Sequence, residues 1–331
     1  MITPENIAKA VQILKQGGLV AFPTETVYGL GADATNPSAI AKVFSAKGRP
    51  AHHPLIVHIA EVSQLNDWAV DISADALKLA KAFWPGPLTL VLKKQNQVLN
   101  SVTGEQDTIG LRIPNHPIAQ ALLEAFAGGL AAPSANRFTH ISPTTAEAVQ
   151  EELSTKVDMI LDGGQCAVGL ESTILDMSGA KAKILRPGMI SAEALARVLG
   201  YDVSFADAQE TTRAPGMHRL HYAPKTSTQV CSLEQIKSEI QTMNNAEFPI
   251  VCVLHSETHL PHHDGVHYIK MQRQPELYAH DLYRTLRLLD QQGFQHILIE
   301  SVPEEKEWDA IRDRLSKASQ SRPQVHLTSK L

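Results

Sequence analysis

From Gly18 to Arg186, short apolar runs of strand character alternate with amphipathic helical segments, and this mixture of two periods narrows the accessible folds more than any other feature. Segments of both kinds can bury their apolar faces together only by layering helices on a sheet. The strand-like runs are Gly18 to Phe22, Leu55 to Ile59, Leu88 to Leu92, Thr108 to Ile113, Leu130 to Ala132, Met159 to Leu161, Ser172 to Asp176 and Ile184 to Arg186. A first helix carries Ile7, Val11 and Leu14 on one face and stops at Gly17-Gly18. Further helices are expected at Ser38 to Ala46, Asp75 to Phe83, Pro117 to Ala127, Thr145 to Leu153 and Ala192 to Leu199. Because several strands follow one another with no helix between, an open, twisted, mixed sheet of the α/β (α+β) class is expected rather than a regular doubly wound one.

The pattern fades over Asp202 to Lys225, DVSFADAQETTRAPGMHRLHYAPK, which is long enough to be a linker or an active-site lid. Beyond it, a helix at Leu233 to Met243, a strand at Pro249 to Leu254, a helix at Pro275 to Gln291, a strand at His296 to Glu300 and a helix at Glu307 to Ala318 alternate as in βαβ units. The expected division is 1–201, a linker or lid at 202–225, and a small parallel α/β domain at 226–331. A chain of 331 residues accommodates two such domains.

Composition removes several classes. An apolar fraction of 43% and a charged fraction of 20% fit a folded protein, and no run approaches the ~18 apolar residues of a membrane span. The start, MITPENIAKAVQ, lacks the regions of a secretory signal, so a cytoplasmic protein without a membrane partner is expected. Cys166, Cys231 and Cys252 have no metal-type spacing and read as reduced thiols. A net charge of −5 argues against a broad nucleic-acid footprint, leaving at most a weak, local RNA contact. His255, His259, His262, His263 and His267 are irregularly spaced around Pro261 and Gly265, which reads as an exposed loop rather than a metal site.

Four clusters of small, hydroxyl and cationic residues carry the chemistry: PTETVYGLG, KGRP, APSANR and, in the linker, PGMHRLHYAP. In Lys47-Gly48-Arg49-Pro50 the glycine lets backbone approach closely, while a point charge and a planar fork suit phosphate oxygens. The same residues would also serve as a plain helix C-terminus. Pro133-Ser134-Ala135-Asn136-Arg137 ends a strand with three polar side chains, as a ligand loop or a simple turn would. Gly29-Leu30-Gly31-Ala32-Asp33-Ala34 fits G-x-G-x-x-A, but no suitable acidic residue follows about 20 positions later, so a nicotinamide cofactor is poorly supported. Arg213, His218, Arg219 and His221 add titratable groups to the linker.

Together, in this order and spacing, the four clusters resemble threonylcarbamoyl-AMP synthases of the YrdC-like superfamily, with the first-domain likeness running from about Gly17 to Gly188 and the rest similar to the two-domain form. The resemblance implies a YrdC-like open sheet holding a basic concave cavity, followed by a small Rossmann-like parallel domain. It implies a nucleotidyltransferase that makes L-threonylcarbamoyl-AMP from L-threonine, bicarbonate and ATP, releasing pyrophosphate, for threonylcarbamoyladenosine in tRNA. Threonine would be held by Thr26, His58, Arg112, the backbone near Ala132, and Ser172. ATP would be lined by Lys47, Arg49, His53, Thr108, Ser134, Asn136, Ser142, Arg186 and Tyr222, with Lys47, Arg49 and Arg186 as the catalytic cations. Where the family commonly has Asn, this chain has His53. Mg²⁺ would arrive with ATP, with no protein side chain assigned to it, and a separate tRNA-modifying transferase complex would act downstream. Two other readings remain at this stage: an RNA-binding module, and an enzyme handling carbamoyl-adenylate.

Overall fold

The structure, a computed structural model, describes residues 3–207, 212–216, 221–242, 250–254, 260 and 262–320. Met243 and Pro249 at expected element ends, His218 and Arg219 in the linker, and His255, His259 and Pro261 in the histidine-rich stretch lie outside the described residues.

The strands of the first part are β1 (Val20–Phe22), β2 (Gly29–Asp33), β3 (Ile56–His58), β4 (Ala69–Val70), β5 (Leu88–Lys94), β6 (Thr108–Arg112), β7 (Leu130–Ala131), β8 (Met159–Ile160), β9 (Thr173–Asp176), β10 (Lys183–Arg186) and β11 (Ser204–Phe205). They form one sheet in the order β11-β10-β9-β5-β6-β3-β7-β2-β1-β8, with β4 paired to β5, so the sheet is open rather than a closed barrel. Parallel pairs (β3 with β6, β5 with β9) alternate with antiparallel ones (β5 with β6, β9 with β10), the mixed arrangement expected. Apolar residues such as Val57, Leu90, Leu111 and Leu175 pack under the helices Pro37–Lys47 and Ala74–Phe83 in one core, while Val20, Phe22 and Leu130 pack against Pro4–Lys15 and Pro117–Phe126 in another.

The glycine-rich stretch, absent from the expected strands, is itself a strand. Residues 29–33 form a strand antiparallel to β1, not a strand-to-helix turn, which disposes of the dinucleotide fingerprint. Gly31 is needed for packing: a Cβ there would lie 2.8 Å from Phe22 Cε1.

The second sheet contains β12 (Ser227–Cys231), β13 (Ile250–Leu254), β14 (Val266–Lys270) and β15 (His296–Glu300), ordered β12-β15-β13-β14 and parallel throughout. Only the two central strands were legible beforehand. β12 and β14 are edge strands with exposed, polar alternate positions, so they lack the continuous apolar signature of buried parallel strands. The helix Pro275–Gln291 lays Tyr278, Leu282, Tyr283 and Leu286 against this sheet and, across the divide, against Val27, Ile141, Leu170 and the linker's Tyr222. At Gly169 (φ +81°) the approach is so close that a Cβ would sit 2.6 Å from Ala279 O.

Candidate active site

The sheet brings the chemistry together. Parallel pairing of β3 with β6 sets His58 beside Arg112, and Ala132, just after β7, donates its N–H to Ile56 O at 2.9 Å. A register shift between Ile184 and Arg186 interrupts β10, a bulge that re-aims the arginine at the strand's end. The helix Pro37–Lys47 is started by Asn36, whose Oδ1 accepts from Ser38 N and Ala39 N, and stopped by Gly48 at φ +62°. The Lys47-Gly48-Arg49 cluster is therefore both a helix terminus and the means of delivering Arg49 to the site.

A single cavity is lined by Thr26, Arg49, His58, Arg112, Ala132, Ser134, Ser172, Arg186 and Tyr222 from the sequence-derived set. His53 lines an adjoining recess of ≈250 Å³ with His52, Phe138, Arg213 and His221, and the two spaces share Arg49, Gly216 and His221. The remaining four expected residues lie off both walls. Lys47 is buried behind the Ser134–Asn136 turn, donating to Ser134 O at 2.5 Å and Asn136 O at 2.6 Å. Asn136 braces that turn through Arg137 O and His140 O, at 2.7 and 2.9 Å. Ser142 Oγ donates to Glu171 Oε1 at 2.6 Å, and Thr108 opens β6 opposite Lys93.

Arg112 is oriented by a carboxylate that sequence reading left unassigned. Glu25 Oε1 lies 2.8 Å from its Nη2, Thr26 Oγ1 accepts from the same nitrogen at 3.0 Å, and Gly86 O accepts from Nε at 3.3 Å. Among the described residues this leaves Nη1 as the nitrogen available to a ligand. Arg186 is held instead by carbonyls, donating to Ser172 O from Nε (3.1 Å) and Nη2 (2.9 Å) and to Pro215 O from Nη1 (3.1 Å). Arg49 donates to Pro54 O at 2.8 Å. Among the described residues, none of Lys47, Arg49 and Arg186 forms a direct ion pair with a carboxylate; their hydrogen bonds go to carbonyls, and Glu171 feels Arg186 only through space.

Burial sets the protonation states. It pushes the Lys47 ammonium well below its ordinary value, with Arg49 adding to the effect, and lowers the Arg49 guanidinium to about 10 with help from Arg186. His58 is driven down to about 3 by burial and then by Arg112, so its ring is neutral and can accept. Burial alone would raise the Glu171 carboxyl, but Arg314, Arg186 and Ser142 together bring it down to about 2. Several polar atoms in these walls have no hydrogen-bond partner among the described residues: Arg49 Nε, His58 Nδ1 and Tyr222 Oη. Buried polar atoms are normally satisfied, so three such orphans around one cavity mark it as built for a polar ligand.

Glu25, Glu171 and Arg314 are the site residues that sequence reading missed. Glu25 and Glu171 immediately precede Thr26 and Ser172, and a lone carboxylate beside a hydroxyl in a strand-end loop was the available signal. For Arg314 the signal was a charge at the apolar register of a helix whose neighbours on that face are Ile311, Leu315 and Ala318.

Residues 12–188 match the family model described as telomere recombination (Sua5_yciO_yrdC), and 190–320 match the one described as threonylcarbamoyl-AMP synthase, C-terminal domain. A threonylcarbamoyl-AMP synthase of Pyrococcus abyssi is 40% identical over 323 residues, covering 95% of this chain and 94% of that one. One from Bacillus subtilis is 39% identical over 324 residues, covering 96% and 94%. The crystal structure of P. abyssi Sua5 complexed with L-threonine superposes with a TM-score of 0.88 at 38% identity, covering 96% of this chain and 95% of that one. With both family models matched in tandem and full-length relatives at this identity, the chain belongs to the threonylcarbamoyl-AMP synthase family.

Proposed function

We propose that the protein condenses L-threonine, bicarbonate and ATP into L-threonylcarbamoyl-AMP and pyrophosphate, the activated group then passing to tRNA through a separate transferase complex. The observation that carries this reading is one cavity with two unlike ends. At one end, Arg112 Nη1 stands free beside Thr26 and the neutral His58, an arrangement suited to an amino acid's carboxylate and hydroxyl. At the other, Arg49 and Arg186 form no direct ion pair with a carboxylate among the described residues, and cations so placed suit phosphates. The rings of His53, Phe138 and His221, with centroids 5.3 and 6.1 Å apart in turn, line the recess beyond Arg49 and fit a nucleobase.

The threonine amine captures carbon dioxide as a carbamate, and a carbamate oxygen attacks the α-phosphorus of ATP, expelling pyrophosphate. Both reactants are anionic, so the residues contribute by holding them close and offsetting charge. Arg112 fixes the threonine, Arg49 and Arg186 offset the phosphates, and Lys47 stiffens the Ser134–Asn136 turn on which the nucleotide rests. Gly216 and Tyr222, which line the cavity, help to keep water from the labile carbamate and anhydride. No group of three or more histidine, cysteine or acidic side chains placed to hold a metal ion occurs among the described residues, and the wall's Glu171 is engaged by Ser142, Tyr283 and Arg314. In this reading Mg²⁺ would arrive with the ATP phosphates as a companion of the substrate.

The deciding measurement is pyrophosphate release with threonine, bicarbonate or ATP omitted in turn, with mass spectrometry identifying the adenylate. Release that needs all three and disappears in a folded Arg49→Ala protein supports the synthase. Release indifferent to threonine points to carbamoyl-adenylate chemistry instead.

A further inference from the structure

Arg314 heads the largest fully buried side chains described, and it comes from the second domain. Its helix, Asp309–Ala318, carries it to the wall of the first domain's cavity. There Nε donates to Glu171 Oε2 at 2.8 Å, Nη2 to Glu171 O at 3.4 Å and Nη1 to Pro187 O at 3.0 Å and Asp313 Oδ2 at 2.6 Å. The guanidinium also lies over the Tyr222 ring, 5.1 Å from its centroid. Glu171 Oε2 accepts a second bond from Tyr283 Oη at 3.0 Å, while Oε1 accepts from Ser142 Oγ at 2.6 Å. Tyr283 in turn stacks on Tyr222 with centroids 5.7 Å apart.

One second-domain cation thus touches both halves of the site: the wall and nucleotide loop through Glu171 and Ser142, and the lid through Tyr222. An independent contact acts on the same loop, where Arg287 donates to Ile141 O at 2.8 Å and to Glu152 Oε1 at 3.1 Å. A buried ion pair is a poor source of stability, because desolvation offsets its attraction, whereas its geometry is restrictive. We propose that Arg314 is a positioning residue for adenylate formation, fixing the Ser142 loop and the Tyr222 lid in register, and that this is what the second domain contributes to the chemistry. The proposal rests on the synthase reading above.

The test uses the full chain with Arg314→Lys, which keeps the charge but not the fork or the stacked plane, and Tyr283→Phe, which removes one hydroxyl and keeps the ring. Should the lysine variant not fold, the phenylalanine variant still decides. Both are expected to melt cooperatively, to lose roughly 10–100-fold in kcat/KM for ATP, and to exchange backbone hydrogens faster over residues 137–142 and 221–224. Folded variants with lower melting temperatures but wild-type kinetic constants and exchange would overturn the proposal, since a merely structural pair behaves that way. Absence of threonine-dependent pyrophosphate release in the wild type would instead remove the synthase reading, and exchange over 137–142 would still judge the positioning.

Discussion

Arg112 shows how a single side chain is prepared for its ligand. Three of its contacts, to Glu25, Thr26 and Gly86, are internal, so the guanidinium is already ordered for the carboxylate it is proposed to meet. Arg112→Lys keeps a charge opposite Glu25 but loses the planar fork whose Nε and Nη2 are held by Gly86, Thr26 and Glu25 while Nη1 stays available. Isothermal titration should then give a threonine Kd raised about 10–100-fold, or ~1.4–2.8 kcal/mol, with little change in melting temperature. His58 makes a different prediction. Its folded pKa of about 3 lies below the ordinary histidine value of 6.5, so the unfolded chain binds the extra proton. Its contribution is therefore fully present above pH ~6.5 and is lost as pH falls towards ~3, with a slope of about 1.4 kcal/mol per pH unit inside that window. A folded His58→Gln protein should show a shallower dependence of denaturant midpoint on pH between 6.5 and 4. An unchanged slope would contradict the assignment. Residue identity in the site was legible where a motif concentrated it, as at Lys47 to Arg49. It was illegible where a partner came from far along the chain, as Arg314 does for Glu171, some 143 positions away.

At the scale of the element, site geometry depends on where helices and strands stop. The helix Pro37–Lys47 runs between the Asn36 cap and the left-handed Gly48, and its end bonds Lys47 to the Ser134 turn while Arg49, just past it, lines the cavity. Asn36→Ala removes two capping bonds and should lower stability by about 1 kcal/mol in urea denaturation, without altering the kinetic constants of the folded enzyme. A selective loss of activity would mean that the helix frame itself moves. Element type was readable where burial was one-sided and periodic, as for Ala192–Leu199. It was not readable at β2, whose glycines blur the strand signal and serve contact with Phe22, nor at β12 and β14, where much of each strand faces solvent. Local sequence records a residue's own environment, not the neighbour it makes room for.

Over the whole molecule, the two sheets meet through Val27, Ile141, Leu170 and Tyr222 on one side and the Tyr278-to-Leu286 face on the other. The linker is stitched to the first domain as well: Arg213 donates to His52 O at 3.1 Å and also to Gly104 O, and Ala223 N donates to Thr139 O at 3.0 Å. A chain truncated after Gly200 retains β1 to β10 but loses the lid and the cover over Ile141 and Leu170. It should keep a folded circular-dichroism spectrum, melt earlier and release no threonine-dependent pyrophosphate. Synthesis by the truncated chain would show that lid and second domain are dispensable.

Lys47 in its dry setting behind the Ser134 turn has a consequence for what enters the site along with the nucleotide. Burial and Arg49 together make its proton loosely held, and an arriving phosphate reverses the sign of the local field. Where the pH lies above that lowered value, ATP binding should draw a proton from solution, so that part of the site's positive charge is loaded by the substrate rather than stored in advance. Calorimetric titrations in buffers of different ionisation heat should reveal that uptake at alkaline pH. ATP affinity should weaken as pH rises from the free lysine's pKa towards the bound one's, and be flat below both.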